Sequence, residues 1–287
     1  MRWLEMGSKE IASSGGKERW PVCVRDGGLL RRLVLRTERW LLRRFDSVSS
    51  ISRRMVDQLQ RKGVDPKRTR YFPNWVDISH VRPSLSGASY RMELGIANQA
   101  KVVLFSGSLG GKQGLTVIPQ AARHLAGRTD IVFVICGDGV MKLELEADSA
   151  DLPNVRFLSL QPFERLGELL SMADIHLLPQ SPEAADLVLP SKLSGMLASG
   201  RPVIAVCRSG TEIDSVVSLC GIVIPPLESF ALADAVRTLV DDPDRRLELG
   251  RRAREFAETH FERDAILQRM FGSAASHVPS AANDAIA

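Results

Sequence analysis

Long hydrophobic runs are missing from this chain. The longest, Val102–Phe105 and Ile131–Cys136, fall far short of the ~20 apolar residues that a membrane-spanning helix needs. No charged-then-apolar start leads to a small-residue cleavage site, so no secretory signal is expected and a cytoplasmic chain is. Cysteine is scarce: the four residues Cys23, Cys136, Cys207 and Cys220 form no CxxC pair. Three of them lie in or beside apolar runs, the pattern of reduced, packed thiols rather than of a metal site or a disulfide framework. The Arg-rich segment carries no interleaved aromatic platform, which argues against nucleic acid as a partner. No internal repeat is visible.

What is present is globular. The 287 residues are 44% hydrophobic and 25% charged, which excludes wholesale disorder. The length exceeds one ordinary domain of ~100–200 residues and suits one large domain with a fragment of another. The net charge of +4 is unevenly placed. Residues 1–85 carry 19 Lys+Arg against 9 Asp+Glu, net +10, and the remainder carries 19 against 25, net −6. A basic segment ahead of a mildly acidic domain points to an anionic surface. Its densest part lies within residues 29–45. There Leu30, Leu33, Val34, Thr37, Trp40, Leu41 and Arg44 share one helical face, and Arg32, Arg36, Arg39 and Arg43 share the other. Two readings stay open: a helix lying in a membrane interface, or a surface helix packed on its own domain.

Residues 1–25 show no period and are expected without stable structure. Asp46–Ser50 reads as a short strand, and Ser52 is placed to cap a helix over Arg53–Lys62 that stops at Gly63. Residues 78–98 read as a linker with one short helix. From Lys101 a regular pattern begins, with apolar β-branched runs at Val102–Ser106, Ile131–Cys136, Val155–Leu158, Ile175–Leu178, Val203–Val206 and Ile222–Ile224. Helical stretches lie between most of them. Continuous apolar runs alternating with helices predict a Rossmann-like α/β fold, a parallel sheet with helices on both faces. The residues after 272 read as a frayed tail.

Two motifs could carry chemistry. In Phe105-Ser106-Gly107-Ser108-Leu109-Gly110-Gly111-Lys112-Gln113-Gly114, glycines follow a strand and open a helix, where backbone N–H groups meet phosphate. It is not a Walker loop, because Ser106 stands where the first Gly belongs and Gln113 follows the Lys. The dinucleotide pattern fails at Gly137-Asp138-Gly139, where Lys142 takes the place of the third Gly. The bland alternative is an ordinary glycine turn. In Leu189-Pro190-Ser191-Lys192-Leu193-Ser194, a Lys sits in the first turn of a predicted helix. A cation there is unfavourable by up to ~1 kcal/mol, a penalty that a bound anion removes; the alternative is a solvated Lys. Two such places in one doubly wound sheet argue for a diphosphate at the carboxyl ends of the strands. His176 sits inside an apolar strand and reads as a core residue; His124 and His260 read as exposed.

At these motifs the chain resembles the C-terminal, donor-binding half of a GT-B glycosyltransferase of the retaining family 4, within its colanic-acid and O-antigen branch (WcaI-like and WbuB-like enzymes). The residues that carry the resemblance are Tyr71–Asp77, Gly107–Gly114, Gly137–Gly139, Asn154–Leu158, Ala173–Ile175 and Leu189–Ala205. It covers residues 26–272. It implies a remnant of the N-terminal acceptor domain over 26–77, a donor domain over 99–260, and over 261–287 a crossing helix with a tail. That helix is expected to expose Ile266, Leu267, Met270 and Phe271.

The resemblance implies a nucleotide-diphospho-sugar as donor substrate, with no cofactor and no metal. A UDP-N-acetyl sugar is favoured and GDP-fucose is the rival. The acceptor implied is a lipid-linked glycan, with the chain peripheral at the inner membrane face. The family's glutamate pair falls on Asp186 and Ser194, of which only Asp186 keeps a carboxylate. Its basic clamp falls on Ser108 and Gln113, which leaves Lys112 and Lys192 as substitutes, Lys192 stabilising the diphosphate. Gly107, Gly137, Asp138, Leu189, Pro190 and Ser191 complete the implied site, with Gln161 in the base-contacting segment Leu160–Pro162. The acceptor-side histidine and loop have no counterpart. Donor binding with little transfer is therefore expected of a truncated chain, unless a separate N-terminal chain completes the cleft. A non-catalytic nucleotide-binding module, a gene remnant and, last, an epimerase of related fold are the alternatives.

Overall fold

The computed structural model describes residues 3–6, 29–183 and 189–272, with side chains from residue 32 onward. The chain divides between Pro73 and Asn74 into two units.

In the first unit a three-stranded parallel sheet is built from β1 (Trp3–Met6), β2 (Ser47–Ser50) and β3 (Thr69–Tyr71), in that order. The β1 segment falls within residues 1–25, which the sequence suggested would hold no element; the rest of that segment lies outside the described residues. Helix α1 (Leu29–Leu42) precedes β2, and α2 (Arg53–Arg61) follows it. The Ser52 hydroxyl accepts from the Met55 N–H as a cap, and Gly63 turns at φ +89°. Leu42, Val48, Leu59 and Val64 form a small core. The rotation of α1 is set by two contacts. Leu42 enters that core and Glu38 pairs with Lys62 on α2. This fixes the Leu35–Glu38–Leu42 side inward and leaves Leu33, Val34, Trp40 and Leu41 exposed beside the arginines.

The second unit contains α3 (Ala88–Glu93), β4 (Lys101–Ser106), α4 (Val117–His124), β5 (Ile131–Cys136), α5 (Lys142–Asp148), β6 (Val155–Leu158), α6 (Leu166–Met172) and β7 (Ile175–Pro179). It continues through α7 (Lys192–Ala198), β8 (Val203–Val206), α8 (Glu212–Val217), β9 (Gly221–Ile224), α9 (Ser229–Asp241), α10 (Pro243–His260) and α11 (Arg263–Phe271). All six strands are parallel, in the order β6-β5-β4-β7-β8-β9. Each apolar run is a strand because both of its faces are covered. Alternate residues divide between the layers. Val103, Phe105, Ile131 and Phe133 pack with α4, α5 and α9. Val102, Leu104, Val132 and Val134 pack with α3 and α6, while Val203 and Ala205 pack with α7, α8 and α10. No helix among the described residues is long and apolar enough to cross a membrane.

Two further expectations are corrected. Residues 78–98 are no free linker: Val81, Tyr90 and Ile96 are buried in the layer under the sheet. On α11, Ile266 is buried, Leu267 and Met270 are half-buried, and Phe271 alone of the four is exposed. The start of that helix is pinned by the bridge between Val76 and Glu262 and by the Arg263–Asp77 ion pair at 2.9 Å, and this anchorage turns Ile266 inward. The tail after 272 lies outside the described residues.

The loops after β4 and β5 press on each other. Gly107 N–H donates to Cys136 O (3.0 Å), and Leu109 N–H to Asp138 O (2.9 Å). Gly137 has φ +148°, and a Cβ on it would stand 1.9 Å from the Gly107 carbonyl oxygen. Its glycine is therefore demanded by loop-to-loop packing. Gly137→Ala is expected to destabilise the protein by ~2 kcal/mol or more, whereas Gly111→Ala, which meets nothing within 4 Å, stays near neutral. Chemical denaturation checks this; equal midpoints for the two variants would contradict the packing account.

Candidate functional site

The strand order reverses between β4 and β7. Crossovers on either side of such a point run to opposite faces, so a crevice opens beyond the carboxyl ends of these two strands. The loop after β4 makes one wall. It passes Gly107, tightens into a single 3-10 turn over Gly111–Gln113, and reverses at Gly114 with φ +62°. On the other side stand the described parts of the loop after β7, residues 180–183 and 189–191, the last of which lead into α7 through Pro190 and Ser191. The walls touch below, where Ser181 N–H donates to Lys112 O (3.1 Å). A Cβ on Gly114 would meet Ser181 N at 3.0 Å.

Lys192 reaches across this crevice. Its Nζ donates to Gln113 Oε1 at 3.0 Å and stands 4.2 Å from the centroid of the Phe105 ring. An ammonium over an aromatic face gains ~0.5–1 kcal/mol. Gly107 gives it room: a Cβ there would lie 3.4 Å from Lys192 Cδ and 3.5 Å from Nζ. Gly107, Gln113 and Lys192 thus meet as the sequence suggested. Phe105 beneath them was not foreseen, because its strand position marked it only as core.

The other expected residues lie differently. Lys112 and Ser108 are exposed on the loop, and the Lys112 side chain contacts no polar group among the described residues. Leu189 is buried, and its carbonyl accepts from Asn74 Nδ2 (3.4 Å). Pro190 is half-buried and Ser191 exposed at the head of α7, where the Ser191 hydroxyl makes no cap bond. Ser194 is buried with its hydroxyl directed to Ser191 O (2.8 Å) and Trp75 O (3.4 Å). Its single proton is thus committed to backbone rather than to a ligand. Asp186 lies outside the described residues.

Asp138 and Gln161 shape a neighbouring loop. The Asp138 carboxylate accepts from Lys142 Nζ (2.7 Å) and from Leu160 N–H (2.9 Å). Lys142 first, and then the Leu160 amide, hold this carboxyl below its usual range. Gln161 accepts from Tyr90 Oη (3.1 Å) and donates to Ser159 O (2.9 Å). His80 stacks on Phe163 at 4.8 Å, with Nε2 3.1 Å from Phe163 O. The segment 159–163 is therefore fixed from three sides, with Leu160 and Phe163 outward. The i, i+4 spacing of Asp138 and Lys142 was the signal in the sequence for the first of these ties.

His176 is fully buried in β7. The Ser199 hydroxyl donates to Met196 O (2.6 Å), so it accepts from His176 Nε2 at 2.9 Å. Burial, and then the charge of Arg201, push the ring down to about 3, and it stays neutral as a core residue. His124 stacks on Phe230 and His260 on Phe256, both exposed. Cys136, Cys207 and Cys220 are buried.

Because the Asp138 carboxyl is lowered, its bond to Leu160 is present above the ordinary carboxylate range and is lost as pH falls through the lowered value. Asp138→Asn removes that charge at every pH. Amide exchange at Leu160, followed near neutral pH, is expected to speed by about tenfold in the variant. An unchanged rate would show that other contacts hold the segment.

The family "Glycosyl transferases group 1" matches residues 88–256, and "Glycosyl transferase 4-like domain" matches residues 13–75. The provisionally assigned colanic acid biosynthesis glycosyl transferase WcaI of Escherichia coli K12 is 35% identical over 251 residues, 85% of this chain and 60% of that protein. D-inositol 3-phosphate glycosyltransferase of Corynebacterium glutamicum is 29% identical over 249 residues, 81% of this chain and 56% of that protein. The chain therefore spans little more than half the length of these relatives. HepE of Anabaena, solved in complex with UDP, shares the fold at TM-score 0.72 and 22% identity over 85% of this chain and 68% of its own. Sucrose-phosphate synthase of Thermosynechococcus elongatus does so at TM-score 0.67 and 22% identity, over 83% and 60%. The chain belongs to the group 1, family-4 glycosyl transferases, with the Rossmann-like sheet of the GT-B fold.

Proposed function

We propose that the crevice between β4 and β7 binds the diphosphate of a nucleotide-diphospho-sugar, as the donor side of a retaining glycosyltransferase in cell-surface polysaccharide synthesis. The observation that carries this is the Lys192–Gln113 contact at 3.0 Å across the switch point, beside Gly107. In sugar transfer the leaving group is a nucleoside diphosphate, and its oxygens gain charge as the glycosidic bond breaks. A cation and an amide fixed in place before reaction stabilise that charge without reorganisation. Lys192 takes that role in our reading, with Gln113 holding its ammonium and the Gly107–Gly114 backbone lining the phosphate.

The complexes of HepE with UDP and with UDP-glucose favour a uridine nucleotide, and the name of WcaI favours an envelope polysaccharide. We place the base against the fixed segment 159–163 and the ribose toward the loop that holds Asp186. The acceptor we propose is a lipid-linked glycan at a membrane surface. Within the first unit, α1 presents Leu33, Val34, Trp40 and Leu41 beside Arg32, Arg36, Arg39 and Arg43, a chemistry suited to anionic lipid.

Calorimetric titration with UDP, GDP, UDP-GlcNAc and GDP-fucose tests the donor site. One base is expected to bind selectively, and Lys192→Ala is expected to weaken it by ~10- to 100-fold, the worth of one charged hydrogen bond. A folded protein that binds none of the four, or binds equally well without Lys192, overturns the assignment. Release of UDP that depends on the sugar and on an added acceptor separates a transferase from a non-catalytic nucleotide-binding module.

A further inference from the structure

The opposite end of the sheet holds a second cationic place. A cavity of about 250 Å³ opens at the amino ends of β7 and β8, lined among others by Arg91, Ala173, Asp174, Arg201, Pro202 and Arg246. It is separated from the crevice by the length of β8, on the order of 13 Å at ~3.3 Å per residue. Three guanidinium groups thus share one cavity with one carboxylate.

That carboxylate is already engaged through its Oδ2. Asp174 accepts from Arg91 Nη2 (2.8 Å) and Val102 N–H (2.9 Å), and Lys101 Nζ stands 3.7 Å away. Arg91 also donates to Ala100 O and Met172 O, so three of its five N–H groups are used. Arg201 is half-buried and donates only Nε, to Ala173 O at 2.9 Å; neither of its Nη atoms has a partner among the described residues. Arg246 uses Nη1 on Leu239 O and Val240 O, which leaves Nη2 and Nε likewise without one. Burial lowers the Arg201 guanidinium, and although Asp174 opposes this, the charges of Arg91 and Arg246 add to it. A half-buried cation beside two others, with a single carboxylate among the three, is costly unless an anion joins it.

We infer that this cavity is a binding site for a phosphate-class anion, held by the free guanidinium N–H groups of Arg201 and Arg246 with Arg91 as a fixed cation behind them. Planar forks with unused donors match tetrahedral oxyanions. The cavity exceeds the ~30 Å³ share of one water severalfold, so phosphate enters with part of its hydration. None of its lining belongs to the donor crevice, and the site stands whether or not that crevice binds nucleotide.

The test uses the full chain carrying Lys192→Ala, which silences the donor crevice. Inorganic phosphate is titrated by calorimetry at constant ionic strength, with chloride as the control for screening. Saturable phosphate binding is expected, weakened about tenfold by Arg201→Gln and by Arg246→Gln. Arg246→Gln carries the test alone if the more buried Arg201→Gln fails to fold. Absence of saturable binding, or binding indifferent to both substitutions in folded protein, overturns the proposal. Vesicles of phosphatidic acid, set against phosphatidylcholine, identify the source of the phosphate. Retention that depends on Arg201 and Arg246 assigns a lipid headgroup, and binding of free phosphate alone assigns a soluble ion.

Discussion

Between β4 and β7 the sheet reverses its direction of growth, and that reversal governs what the second unit can bind. Helices that follow β4 and β7 leave toward opposite faces, so a crevice opens beyond the two strands. The loops that border it must then satisfy their own backbone groups. They do so sideways. Leu109 bonds to Asp138 and back to Met141, and Ser181 bonds to Lys112. The crevice is held open by bonds that run around it, and Gly107, Gly114, Gly137 and Gly139 supply the positive φ values that such close backbones demand.

Within that frame, charge is placed at both ends of one sheet. At the carboxyl end Lys192 rests on Phe105 and Gln113. At the amino end Arg91 and Asp174 knit α3 to the sheet, while Arg201 and Arg246 bring more positive charge than the single carboxylate offsets. The neutral His176 lies between the two ends in β7. Its imidazole is kept uncharged by burial first and by Arg201 second, so it adds nothing to either site's charge.

The six strands of the second unit were legible because they are continuous apolar runs, a pattern that only a two-sided sheet explains. Lys192 stood out because a cation in the first turn of a helix calls for a reason. Other features were hidden where tertiary packing overrides local pattern. The apolar stripe of α1 did not say which side packs, and Leu42 with the Glu38–Lys62 pair turns a third side inward. Residues 78–98 looked like a linker because Val81, Tyr90 and Ile96 are too widely spaced to show a period. Gly137 and Asp138 were read as ligand contacts. One is glycine because a neighbouring carbonyl stands against it, and the other is tied to Lys142 and Leu160. No sequence signal distinguishes a glycine that admits a phosphate from one that admits another loop.

The central claim is where the nucleotide sits. Amide chemical shifts of the isotope-labelled chain, followed during titration with UDP, test it most directly. The account predicts that the largest changes fall on Gly107, on Gly110–Gly114 and on Lys192, with lesser ones at Leu160 and Gln161. Changes centred on Ala173, Arg201 and Arg246, with Gly107 and Lys192 unmoved, would contradict it and place the nucleotide at the other end of the sheet.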